Sequence, residues 1–251
     1  MNEQPPSCDP VPGYWLEVQV RHRRLDARDT VVLELVPVQG SDLPAFEAGA
    51  FVNVGFDGGA VRSYSLANAP HLRDHYLLAV RLAPHSMGGS RAMHALRPGD
   101  RLRVSRPRNT FPLHGGALHS VLLAGGVGIT PLLSMAEHLW RTAASFELHY
   151  GFRTPDQAVF LSHLHQAPYV RRTSLWCSGA DVHKRMDIAR IFSRVPFLSH
   201  IYLCGPAPFM ESALAVAEKL GWPAERIHQE SFGPARRGAE HLYAVQRMNA
   251  F

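Results

Sequence analysis

SVLLAGGVGITPLLSM, residues 120–135, is the stretch whose reading decides the fold. It opens with an apolar run that shows no polar alternation, as expected of a strand buried on both faces of a parallel sheet. Gly125, Gly126 and Gly128 follow, and Thr130-Pro131 opens a helical segment. Glycines let a backbone approach a ligand closely, and a helix start presents free N–H groups and a positive dipole end. Thr130 adds a hydroxyl, and Pro131 suits a first helical turn. Strand, turn and helix in this order suit a pyrophosphate at the carboxyl end of a parallel strand. A glycine run also serves as a mere tight turn, so its neighbours carry the weight.

Downstream, strands and helices alternate. FELHYGFR, TSLWCSG, HIYLCG and RIHQESF read as strands; QAVFLSHLHQ, MDIARIF and PFMESALAVAEKL read as helices. Alternation predicts a parallel sheet covered on both faces. Upstream the pattern is different. YWLEVQVRHRR, TVVLELVPV, AFVNVGF, VRSYSLAN, HYLLAVRLA and RLRVSRP are short and β-rich, with one short helix at SRAMHALRPGD. This predicts a six-stranded antiparallel barrel. The expected organisation is a leader over 1–13, a barrel over 14–112, an α/β unit over 113–235 and a tail over 236–251.

Composition sets bounds. The 251 residues are 46% hydrophobic and 19% charged, a globular balance. No apolar run reaches the ~18 residues of a membrane span. The three cysteines, Cys8, Cys177 and Cys204, give neither a disulfide framework nor a metal spacing, and fit a reducing cytoplasm. The formal charge is +5, with RHRR at 21–24 and Arg101, Arg103, Arg106 and Arg108 clustered. A solvated basic face and a docking face for an acidic partner both fit; nucleic acid is disfavoured by the lack of aromatic interleaving.

Two nucleotide fingerprints are excluded: there is no G-K-[ST], and the spacing is not G-x-G-x-x-G. No acidic residue ends the second α/β strand. Arg153 stands there, either against an adenosine phosphate or solvated. In CGPAPFM, 204–210, Cys204 is either a buried small residue or a polarizable contact beside a flat ring. No His or metal partner marks it as a nucleophile. In RSYSLAN, 62–68, Arg62 and Tyr64 share one strand face and Ser63 and Ser65 the other.

R-x-Y-S at 62–65, G-G-x-G-I-T-P at 125–131 and C-G-P at 204–206 followed by Met210 together resemble the ferredoxin–NADP reductase superfamily. AVRLAPHSMGGS, VSRPRNTFPL and HQESFG narrow this to the phthalate dioxygenase reductase and vanillate demethylase reductase type, over residues 14 to 234. The resemblance implies an FMN-binding barrel (FAD being the alternative) and an NADH-binding unit (NADPH being the alternative). It places Tyr64 and Ser65 on the flavin ring, with Ser63, Leu66 and Val80 beside them. Arg62 and Arg81 go to the flavin phosphate, capped by Gly88, Gly89 and Ser90; Met87 packs. Gly125, Gly126, Gly128, Thr130 and Pro131 hold the dinucleotide, and Cys204, Gly205, Pro206 and Met210 the nicotinamide end. Phe232 covers a ring face, and Glu230 handles a proton. Ser65, Cys204, Glu230 and Phe232 form the expected catalytic set, with no metal. Relatives carry a [2Fe–2S] domain needing four cysteines. No cysteine follows Cys204, so either the expected partner is a separate [2Fe–2S] ferredoxin or Rieske-type oxygenase component, or the sequence is a fragment of a longer chain. A free-standing flavin or ferric reductase and a non-catalytic nucleotide sensor are the rival readings.

Overall fold

A computed structural model describes residues 15–56, 59–83, 88–179 and 185–232. The expected leader over 1–13, Met87 and the expected tail over 236–251 lie outside the described residues. Six strands come first: β1 (Trp15–Ala27), β2 (Thr30–Pro37), β3 (Phe51–Gly55), β4 (Val61–Ser65), β5 (Tyr76–Arg81) and β6 (Arg101–Ser105). They form one antiparallel sheet in the order β4-β3-β6-β1-β2-β5. The two edges meet beyond β4, where the Ala67 N–H donates to the Leu77 carbonyl at 2.9 Å. The Leu77 N–H in turn donates to the Asn68 side chain at 3.0 Å. Period-two alternation lets one sheet face fill the barrel. Val18, Leu33, Leu35, Val52 and Leu78 point inward and are fully buried, and Met93 of α1 (Gly89–Ala95) joins them.

Five parallel strands follow: β7 (Ser120–Gly125), β8 (Phe146–Phe152), β9 (Thr173–Cys177), β10 (His200–Cys204) and β11 (Ile227–Glu230). Their order is β11-β10-β7-β8-β9. The helices are α2 (Ile129–Arg141), α3 (Leu161–Gln166), α4 (Ile188–Arg194) and α5 (Ala207–Lys219). β7 is buried along its whole length. Leu122 and Ala124 face a core shared with α2, while Val121 and Leu123 face the core under α4 and α5. Two covered faces favour apolar side chains at successive positions, which is why Val121 to Ala124 show no alternation. The chain runs from β7 outward to β9, then returns to β10 on the other side of β7. The β7–β10 border is therefore the topological switch point, and its carboxyl end is where open α/β sheets bind ligands.

Several elements differ in extent from the sequence expectation, three of them with a bearing on the packing. The helix expected over 157–166 begins only at Leu161, because Phe160 adopts φ 61°. That left-handed conformation costs a non-glycine residue about 1–3 kcal/mol. It is offset by a 2.5 Å hydrogen bond from the Phe160 N–H to the Asp26 carboxylate. The last strand stops at Glu230, short of Ser231 and Phe232. β1 runs three residues past RHRR, through Leu25-Asp26-Ala27, with a register shift between Leu25 and Ala27. Among the described residues no helix is long and apolar enough to cross a membrane.

Candidate functional site at the cleft between the two sheets

The glycines of the switch point have distinct duties. A Cβ on Gly128 would stand 2.2 Å from the Cys204 carbonyl oxygen, and one on Gly205 would stand 3.1 Å from the Gly125 Cα. The start of α2 thus lies against the end of β10 at a separation that only glycine permits. Gly126 is different: it has φ 55°, nothing within 4 Å of its missing Cβ, and a place on the wall of a cleft. Its backbone is open to a ligand. Thr130 donates its hydroxyl to the Val127 carbonyl at 3.1 Å and so braces the loop from within.

The cleft encloses about 320 Å³. Gly125 to Gly128, Thr130, Gly205 and Pro206 make one wall. Ser63, Tyr64 and Ser65 of β4, with Ala79 to Ala83 at the end of β5, make the other. Ser90 and Phe232 also line it, Phe232 being 42% exposed. Burial pushes the Tyr64 phenol up to about 12, against the pull of the Arg62 charge. Arg62 is exposed and donates to the Val61 carbonyl at 2.7 Å. A Cβ on Gly89 would come within 2.9 Å of the Arg62 Cγ and 3.7 Å of the Tyr64 hydroxyl, so the start of α1 packs on both. Arg81 is held by Asp29, Nε to Oδ2 at 2.8 Å. Ser90 accepts the Ala83 N–H at 3.2 Å.

A hydrogen bond ties the barrel wall to the end of β11. The Ser65 hydroxyl donates to Glu230 Oε2 at 3.2 Å. Burial raises the Glu230 carboxyl to about 7, and the Ser65 bond only partly opposes this. Cys204 pairs in register with Ala124 on one side and Glu230 on the other. Burial, then the Glu230 carboxylate, pushes its thiol well above the ordinary range. A thiol kept neutral in this way is a poor nucleophile.

Other expected site residues sit back from the surface of the cleft. Leu66 fills the barrel interior, and Met210 packs in the core under α5. Pro131 is buried in α2. Arg153 is exposed at the end of β8, where its carbonyl accepts the Gly179 N–H at 2.7 Å. Ala79, Leu82, Ala83 and Val127 line the walls without having been singled out in the sequence. Small and aliphatic residues carry no chemical signature. Asp29, which anchors Arg81, was missed because a hairpin aspartate is ordinary turn chemistry. Among the described residues no group of three or more His, Cys, Asp or Glu could hold a metal ion.

This geometry suits two ligands meeting in one cleft: one against Tyr64 and Ser65, the other with its phosphates at the glycines. Known proteins agree. The oxidoreductase NAD-binding domain model matches residues 122–214. Vanillate O-demethylase oxidoreductase of Pseudomonas sp. strain HR199 is 40% identical over 221 residues, spanning 88% of this chain and 70% of that protein. Phthalate dioxygenase reductase of Burkholderia cepacia is 36% identical over 90% of this chain and 70% of its own length. A solved structure of phthalate dioxygenase reductase superimposes with a TM-score of 0.83 at 35% identity, covering 90% of this chain and 70% of that one. The chain therefore belongs to the ferredoxin-reductase-type family of NAD(P)H-dependent flavoprotein oxidoreductases, with the family's antiparallel barrel and parallel sheet.

Proposed function

We propose that this chain is the reductase component of an oxygenase or demethylase system, taking electrons from NADH through one bound FMN to an iron–sulfur acceptor. The observation that carries the reading is the Ser65–Glu230 bond, which brings the Tyr64–Ser65 wall and the glycine wall together over one cleft. The names of its relatives support it: they include an O-demethylase oxidoreductase and a dioxygenase reductase.

A bound flavin takes a hydride from a nicotinamide and gives its electrons up singly, chemistry that belongs to the cofactor. The chain supplies alignment, since the reacting atoms must come within about 3–3.5 Å. Tyr64 and Ser65 would bear the flavin ring. Arg62 would take its phosphate, because a guanidinium donates two parallel hydrogen bonds to such a group. Arg81, Ser90 and the Gly88-Gly89 backbone would close that end. Gly125, Gly126 and Gly128, at the start of the 13-residue α2, would receive the pyrophosphate of the dinucleotide. Gly205 and Pro206 would form the floor under the nicotinamide, with Cys204 buried behind them, and Phe232 would cover it. Glu230 would hold a proton on the carboxyl that meets Ser65. Arg153 would stand near the adenosine.

On this reading the flavin unit is 14–112 and the dinucleotide unit 113–235. The reaction runs in the cytoplasm, and a separate ferredoxin or Rieske-type oxygenase accepts the electrons. A [2Fe–2S] cluster takes four cysteines, and the acceptor would supply them.

The test is optical. Purified protein mixed with FMN and desalted should keep a yellow band at roughly 450 nm, and NADH should bleach it without oxygen. A colourless protein that takes up neither FMN nor FAD defeats the proposal. NADH should exceed NADPH in kcat/KM by at least about ten-fold; the reverse order would reassign the donor.

A further inference from the structure

The hairpin between β1 and β2 belongs to the barrel but grips the other sheet. The Asp26 carboxylate accepts the Phe160 N–H at 2.5 Å and the Arg24 Nε–H at 2.9 Å. Its side chain is only 17% exposed. Arg24 also lies 6.0 Å from the centroid of the Phe160 ring. Two residues further on, the Arg28 N–H donates to the Asp156 carbonyl at 2.7 Å, and its guanidinium pairs with the Asp156 carboxylate at 2.5 Å. Asp29 then faces the opposite way. Its carboxylate holds Arg81, and its carbonyl accepts the Leu82 N–H at 2.7 Å. Arg81 and Leu82 are wall residues of the cleft. Four consecutive residues therefore tie one wall of the cleft to the half of the molecule that builds the other.

Apolar contact alone does not fix that relation. The barrel side of the shared core is Ala27, Val32, Ala48, Ala67, Ala79 and Phe111, four of them alanines. Such contacts are non-directional and permit sliding. Directional bonds between the halves occur at the Asp26 hairpin and at Ser65–Glu230. The second involves Ser65, a wall residue of the cleft. The first lies outside.

We propose that Asp26 is a positioning residue for the reaction: through the hairpin it sets the separation of the two walls, and hence the approach of the two rings. This rests on the function proposed above. A misplacement of about 1 Å between reacting atoms lowers a rate by about 100-fold, so a partly loosened hairpin has a large kinetic effect.

The test compares Asp26→Ala with Asp26→Asn, which keeps an oxygen for the Phe160 N–H. Amide exchange on the full chain needs no ligand. The alanine variant should lose protection at Phe160 and also at Leu82, by about ten-fold each, with asparagine staying within about two-fold of wild type. Faster exchange confined to Phe160 and α3, with Leu82 unchanged, makes Asp26 a local support and overturns the proposal. In the FMN-loaded protein, the alanine variant should be reduced by saturating NADH at least about ten-fold more slowly, with donor and flavin affinities within about three-fold. An unchanged rate, or a loss seen only in donor affinity, also overturns it. Should the alanine variant not fold, Asp26→Glu displaces the acceptor by one methylene and is read by the same two measurements. A wild-type protein that no nicotinamide donor reduces defeats the function instead; the exchange arm still decides whether Asp26 links the walls.

Discussion

Glu230 shows how far position governs chemistry at a single residue. Its carboxyl is raised to about 7 by burial, whereas in the unfolded chain it titrates near 4.5. Between those values the folded state holds a proton that the unfolded state has lost. This carboxyl therefore favours folding in acid, and that contribution falls away as pH rises through about 7. Glu230→Gln removes the titrating group and keeps an acceptor for Ser65. Thermal melts should show the variant gaining on wild type from pH 5 to pH 8, by up to about 3 kcal/mol; a constant difference across that range would contradict the assignment. Two glycines make a sharper pair. Gly128→Ala would push a methyl into the Cys204 carbonyl and should cost more than about 3 kcal/mol. Gly126→Ala meets no atom and bears only its φ of 55°, a cost of about 1–2 kcal/mol. Denaturant titration of both variants checks the contrast: Gly126→Ala should remain well folded while Gly128→Ala loses most of its stability.

At the scale of elements, the last strand is held by its neighbours. His228 of β11 stacks on Tyr202 with ring centroids 4.7 Å apart and on His200 at 5.2 Å. His114 from the connecting segment stacks on His200 in turn, at 4.2 Å. His200 Nδ1 and His228 Nε2 are 2.9 Å apart, so at least one of these nitrogens must be unprotonated. Burial, with His200 and His114 nearby, lowers His228 to about 4. The unfolded chain takes up this proton first, so stability is lost as pH falls from 6.5 toward 4. His228 and Glu230 thus slope in opposite directions over much of the same range, and each becomes visible only in a variant. His228→Gln should gain on wild type below pH 6.5, by about 1–2 kcal/mol once solvent screening of this half-buried ring is allowed for. A pH-independent difference in melting would argue against the stack as an acid-sensitive joint. The start of α4 is simpler. Asp187 accepts the Arg190 N–H at 3.0 Å as its cap. Asp187→Ala should cost about 1 kcal/mol in a thermal melt.

For the whole molecule, the charge balance bears on partners. Arg101 and Arg103 stand exposed on β6, with Arg103 5.9 Å from the Trp15 ring, in a chain of formal charge +5. Electron transfer to an acidic iron–sulfur acceptor should slow by about ten-fold between roughly 0.05 and 0.5 M salt, because screening shortens the reach of the basic face. Flavin reduction by NADH, measured in the same series, should change far less. A flat salt dependence of the acceptor step would leave this face merely solvated.

Much of the architecture was legible in the residues. Alternation marks the barrel strands because one face is dry and the other wet. Its absence at 120–125 marks a strand covered twice, and the glycines at 125, 126 and 128 point to a turn with a ligand above it. Each of these signals is set by sterics or burial within a few positions of the chain. The cleft itself is another matter. Ser65 meets Glu230 across 165 residues, and Asp26 meets Phe160 across 134. No periodicity foretells such contacts, because they depend on how two finished sheets dock. The same holds for the shortened α3, which yields to Phe160, and for the proton on Glu230, which is a property of its surroundings. Local chemistry wrote the elements; packing decided which of their ends face one another.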